Sequence, residues 1–75
     1  MSRDELNIAI GKALKQARKT KKITQEQLAE MIGVERSVLT RYETGNIEIS
    51  MKNFVKICDA LGLNYADVLS NIERM

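Results

Sequence analysis

The segment Thr24–Gly45, TQEQLAEMIGVERSVLTRYETG, constrains the fold more than any other, because it holds two short amphipathic patterns hinged on one glycine. Thr24 followed by Gln27 has the spacing of a capping box, in which each side chain satisfies an orphan backbone donor of the first turn. A helix is therefore predicted to start at Gln25. Leu28, Met31 and Ile32 recur at helical spacing and predict one apolar stripe, with Glu26 and Glu30 on the wet side. Ala29 is a small residue on that stripe and lets a second helix come close, as a tight helix-turn-helix corner requires. Gly33 supplies the left-handed conformation that ends a helix cheaply. The pattern restarts at Val34, and Leu39 and Tyr42 continue its apolar side, so a second helix is predicted from about Arg36 to Thr44.

Opposite that second apolar side lie Arg36, Ser37, Thr40, Arg41 and Thr44. Arginine can take guanine bidentately at its two major-groove acceptors, and serine and threonine hydroxyls bond bases or phosphates. A solvated helix face can carry the same residues. The surrounding charge favours the first reading. Net charge is only +2, yet Lys12, Lys15, Arg18, Lys19, Lys21 and Lys22 follow one another with no acid between them. They fall at the end of the preceding helix and in the loop before Gln25, where they suit the negative helix terminus and can meet phosphates, chiefly through Lys19, Lys21 and Lys22. Double-stranded DNA is the partner this combination predicts.

The motif resembles the helix-turn-helix of the phage-repressor family, the Cro/C1-type DNA-binding domains. Gln25, Leu28, Ala29, Gly33, Val34, Leu39, Tyr42, Glu43 and Gly45 carry the resemblance, which extends more weakly from about Ile10 to Leu69. It implies a lambda-repressor-like fold in which the first helix of the motif braces the DNA backbone and the second enters the major groove. By position, Thr24 and Gln25 would hold phosphates, Arg36, Ser37 and Arg41 would face base edges, and Thr40 would take a flanking phosphate or base. Glu35 stands where members often place a capping serine or threonine; its carboxylate suits the helix N-terminus or can accept from a cytosine amino group. The resemblance also implies a structural ion pair between Arg18 and Glu43, and backbone contacts to DNA from Asn46, Lys52 and the amides after Ser50. Related repressors and restriction-modification controller proteins usually act as dimers, so the resemblance implies a homodimer.

The remaining sequence is read as closing an all-α, compact bundle of about five short helices, with residues 1–75 forming one domain. Proline is absent, and no run alternates as a strand would. Ser2 and Glu5 have capping-box spacing ahead of a helix from about Arg3 to Lys19, whose stripe is Leu6, Ile10, Leu14 and Ala17; Gly11 weakens it slightly. Ser50 can cap a fourth helix carrying Phe54, Ile57, Cys58 and Leu61, which Gly62 stops. Asn64 can cap a fifth, whose edge contains Tyr65, Val68, Leu69 and Ile72. Leu63, Tyr65, Val68, Leu69, Ile72 and Met75 are the expected dimer residues.

Catalysis finds little support: there is no histidine, only one cysteine, no glycine-rich phosphate loop and no paired carboxylates set within an evident pocket. No metal, cofactor or small-molecule ligand is expected, and Cys58 reads as core. The chain lacks a signal-like or membrane-spanning run, which predicts a cytoplasmic protein. Two functions fit this pattern. One is a repressor or controller that regulates transcription through an operator; the alternative is an interaction module of the same fold, such as an antitoxin or anti-repressor.

Overall fold

In the computed structural model, which describes residues 1–73, five helices follow one another: α1 (Arg3–Thr20), α2 (Gln25–Ile32), α3 (Arg36–Thr44), α4 (Met51–Ala60) and α5 (Tyr65–Glu73). The caps explain where they begin. Thr24 Oγ1 accepts from the Gln27 amide at 3.1 Å and Gln27 Oε1 accepts from the Thr24 amide at 2.9 Å, a complete capping box. Ser50 Oγ accepts from the Asn53 amide, and Asn64 Oδ1 from the amides of Ala66 and Asp67. At α1 only the serine half of the expected box is made: Ser2 Oγ accepts from the Glu5 amide.

Gly33 adopts φ +75° and closes α2, and the Val34 amide donates back to the Ala29 carbonyl at 3.0 Å. α1 ends in the same hydrogen-bond pattern without a glycine. Lys22 takes the left-handed position at φ 59°, and the Ile23 amide donates to the Arg18 carbonyl. No residue type in that loop signals such a turn, so sequence reading leaves it as plain loop.

The helices wrap one core. α1 packs on α3 and α5, α2 on α3 and α4, and α4 on α5. Leu14, Leu28, Ala29, Ile32, Leu39, Tyr42, Phe54, Ile57, Cys58 and Leu61 form a continuous buried cluster. Burial holds the Cys58 thiol above its ordinary pKa, with Asp59 adding to the shift, as suits a side chain that packs and stays protonated. Three expected stripe residues are exposed instead. Met31 is 56% exposed: Leu28, Ala29 and Ile32 define the inward direction of α2, and Met31 falls roughly 100° to one side of it. Leu6, at the end of the first turn of α1, and Tyr65, the first residue of α5, are also exposed.

Gly11 corrects the expectation that it only weakens α1. It is buried where α1 crosses α3, and a Cβ there would stand 2.6 Å from the Glu43 carbonyl oxygen and nearer still to that of Tyr42. The glycine is what lets the two backbones touch. Arg3 and Glu48 make a second, exposed link between α1 and the loop after α3, with Arg3 Nη2 donating to Glu48 Oε2 at 3.0 Å. That hydrogen bond and the neighbouring positive charge hold the Glu48 carboxyl below its ordinary pKa. Among the described residues, no helix is long and apolar enough to cross a membrane.

Candidate nucleic-acid interface

α3 is held from one side and bare on the other. Leu39 and Tyr42 enter the core, Val38 is half-buried against it, and Glu43 is buried beside Arg18. At 100° per residue, these inward positions leave Ser37, Arg41 and Thr44 at the centre of the opposite flank, and all three are exposed. Arg36 and Thr40 stand at the edge of that flank nearest α2. Arg36 is exposed and Thr40 half-buried, and both reach Gln25. Glu35 precedes α3 with extended backbone and makes no side-chain cap hydrogen bond, so its carboxylate lies exposed at the helix entrance.

The hydroxyls on this flank are partly committed. Thr40 Oγ1 donates to the Arg36 carbonyl at 3.0 Å, and Thr44 Oγ1 to the Thr40 carbonyl at 3.0 Å. Each then meets the outside mainly as an acceptor. The two arginines and Ser37 supply the donors. Arg41 makes no ion pair among the described residues, which leaves its guanidinium open to a partner.

A buried polar network fixes the flank to the rest of the bundle. Arg18 Nε donates to Glu43 Oε2 at 2.7 Å and Arg18 Nη2 to Glu43 Oε1 at 3.1 Å, while Arg18 Nη1 donates to the Ile23 carbonyl at 2.8 Å. Gln25 Nε2 adds a third hydrogen bond to the carboxylate, at 2.9 Å on Oε1. No buried side-chain nitrogen or oxygen among the described residues lacks a partner. This network joins α1, α2, α3 and the loop between α1 and α2, so the corner behaves as one rigid piece.

An open cleft of about 420 Å³ lies between the start of α2 and the start of α3, lined by Arg18, Thr24, Gln25, Glu26 and Arg36. The helix entrance and the Arg36 guanidinium both favour an anion there. The lysines are dispersed by comparison. Lys19, Lys21 and Lys22 are exposed, but the Lys21 ammonium sits by Gly62 at the end of α4, and Lys22 borders a depression with Ile23, Gln27, Glu30 and Met31. Neither lines the cleft that holds Arg36. Asn46 and Lys52 are exposed on either side of the α3–α4 connection.

The expected dimer residues divide. Tyr65 is 47% exposed, and Leu63, Val68 and Leu69 are half-buried. Ile72 is only 2% exposed, because α5 folds back on α1 and buries that side chain within the bundle; it is not available to a second chain. Met75 lies outside the described residues. Sequence reasoning missed the packing role of Gly11 and the bond from Gln25 to Glu43. The first carries no side-chain signal, and the second joins residues far apart in sequence.

Comparison with known proteins agrees with this architecture. A family model described as helix-turn-helix matches residues 14–68. The antitoxin PezA of Streptococcus pneumoniae is 37% identical over 60 residues, covering 80% of this chain but 38% of its own length, so the chain spans well under half of that relative. The control protein C.MunI of a Mycoplasma species is 32% identical over 72 residues, covering 95% of this chain and 97% of its own. The crystal structure of the clp gene regulator ClgR from Corynebacterium glutamicum superposes with a TM-score of 0.86 at 37% identity, covering 91% of this chain and 72% of that one. The chain belongs to the helix-turn-helix family, of the Cro/C1 type.

Proposed function

We propose that the chain is a sequence-specific, double-stranded-DNA-binding transcriptional regulator that reads the major groove with α3 and acts as a homodimer. The observation that carries this reading is the division of α3: its apolar residues and Glu43 are locked inside, while Ser37, Arg41 and the edge residue Arg36 stand open on one flank. In this reading Arg36, Ser37 and Arg41 meet base edges, with Glu35 and Thr40 at the margins. Thr24 and Gln25 hold a phosphate at the entrance of α2, in the cleft shared with Arg36. Lys19, Lys21, Lys22, Asn46 and Lys52 contribute more distant backbone contacts. The likeness to a control protein over nearly its whole length supports this reading. So does the polar character of the α3 flank, which suits bases better than the apolar contacts of a protein-interaction module.

One recognition helix reads only about four or five base pairs, whereas two copies related by a two-fold axis reach successive major grooves roughly 34 Å apart. The proposed contact between copies uses Tyr65 with the uncovered parts of Leu63, Val68 and Leu69. Sedimentation should find a dimer on operator DNA; a monomer both free and bound removes this part of the proposal.

Base-reading and phosphate-holding residues separate on substitution. Arg41→Ala should lose about 1 to 3 kcal/mol on the preferred duplex and relax preference at one position. Lys19→Ala should weaken all duplexes alike and flatten the salt dependence by about one unit. Titrations of both variants against preferred and random duplexes check this, and equal losses on both duplexes for Arg41→Ala contradict base reading.

A further inference from the structure

We infer that Glu43, which lies inside the bundle, is a positioning residue for recognition: acting through Gln25, it sets the aim of Arg36. The inference rests on the DNA-binding reading above and adds a residue whose side chain never reaches the surface.

The Glu43 side chain is 1% exposed and bonded to Arg18. An ionised carboxylate can only accept hydrogen bonds. The end of the Gln25 amide that faces it must therefore be the NH2 group, and Gln25 Nε2 is 2.9 Å from Glu43 Oε1. Fixing the nitrogen fixes the oxygen. Gln25 Oε1 is turned toward α3, where Arg36 Nε approaches to 3.4 Å and Thr40 Oγ1 to 3.3 Å. Thr40 has one proton and a closer acceptor, the Arg36 carbonyl at 3.0 Å, so the amide oxygen is left chiefly to the guanidinium. Turning the amide over would set its oxygen against the Glu43 carboxylate and its NH2 group against the Arg36 Nε donor, and both contacts disfavour that state.

Arginine is long and rich in rotamers, and an exposed one normally samples many. Holding Arg36 by Nε leaves the two terminal nitrogens as a planar fork, the shape that takes two acceptors on one guanine edge. A buried charge on α1 and α3 thus orients an amide on α2, and the amide steers a guanidinium on the outer flank of α3. Preference at the base read by Arg36 then depends on residues that touch no base.

The test is a double-mutant cycle of Gln25→Met and Arg36→Ala, read as affinity for the preferred duplex and for random duplex at one salt concentration. With Arg36 present, Gln25→Met should weaken the preferred duplex about three- to tenfold more than random duplex, the net worth of one ordinary hydrogen bond. With Arg36→Ala already made, that extra loss should disappear. The same loss in both backgrounds, equal on both duplexes, limits Gln25 to its phosphate contact and overturns the inference while leaving the DNA-binding reading intact. A native chain that prefers no duplex overturns both. Should Gln25→Met fail to fold, amide hydrogen exchange in the free native chain decides: the Gln25 side-chain NH2 must exchange more slowly than that of Gln16, which is exposed, and equal rates overturn the inference.

Discussion

Arg18→Met is expected to lower the stability of the domain by about 3 to 5 kcal/mol, the range found when one member of a buried ion pair is removed. Methionine fills much of the space of the arginine stem and brings no charge, so the loss reports the stranded carboxylate more than a cavity. Glu43 is 4% exposed and would keep only the Gln25 amide as a donor. The Ile23 carbonyl would lose the Arg18 Nη1 hydrogen bond as well. A chain of this length has a total stability on the order of 4 to 11 kcal/mol, so the variant should be at or near the edge of folding. The pair is not therefore strongly stabilising in itself, since an apolar replacement of both members can be close to neutral. Arg18→Met/Glu43→Leu should accordingly be more stable than Arg18→Met alone. Urea denaturation of the native chain and the two variants checks both statements. A single-variant loss within about 1 kcal/mol would place the pair with exposed ion pairs and contradict the account.

Gly11→Ala should be destabilising even though helix propensity alone favours alanine by about 1 kcal/mol. The methyl group would meet the backbone carbonyls of Tyr42 and Glu43, and neither can turn aside as the end of a flexible side chain could. α1 and α3 must separate, which loosens the Arg18–Glu43 bonds made seven residues further along α1. Overpacking of this kind typically costs about 1 to 3 kcal/mol, occasionally more, and contact with backbone on both sides places it at the upper end. Gly33→Ala is the natural comparison. Gly33 sits at φ +75° with open space around it, so alanine there meets only the left-handed backbone penalty of about 1 to 2 kcal/mol. Thermal or urea unfolding should rank Gly11→Ala below Gly33→Ala. The reverse order would mean that the α1–α3 crossing relaxes easily.

These two glycines mark what the sequence makes legible. Gly33 is readable because its role is local: a helix stripe stops, a new one starts, and the residue between needs positive φ. The caps at Thr24, Ser50 and Asn64 are readable for the same reason, and the starts of α2, α4 and α5 follow directly from them. Gly11 acts across the bundle, against atoms contributed by residues more than thirty positions away, and leaves no periodic trace. Lys22 shows the converse, a left-handed turn taken by a residue whose type does not announce it. Met31 and Ile72 divide for a related reason. Periodicity assigns each to an apolar side, but only the neighbouring helices decide that Met31 stays outside and Ile72 is covered. At the interface, the open flank of α3 follows from helical spacing. The orientation of Gln25 depends on a carboxylate from another helix and becomes visible only in three dimensions.

The central claim is that the outer flank of α3 reads base edges in duplex DNA. Selection of bound sites from random duplexes, followed by titration of the native chain against the selected site and a scrambled one at physiological salt, tests it most directly. The account predicts a symmetric site whose half-sites are centred about one helical turn apart, bound about 10³-fold or more tightly than the scrambled duplex. Equal affinity for the two duplexes, or no binding to either, would contradict it.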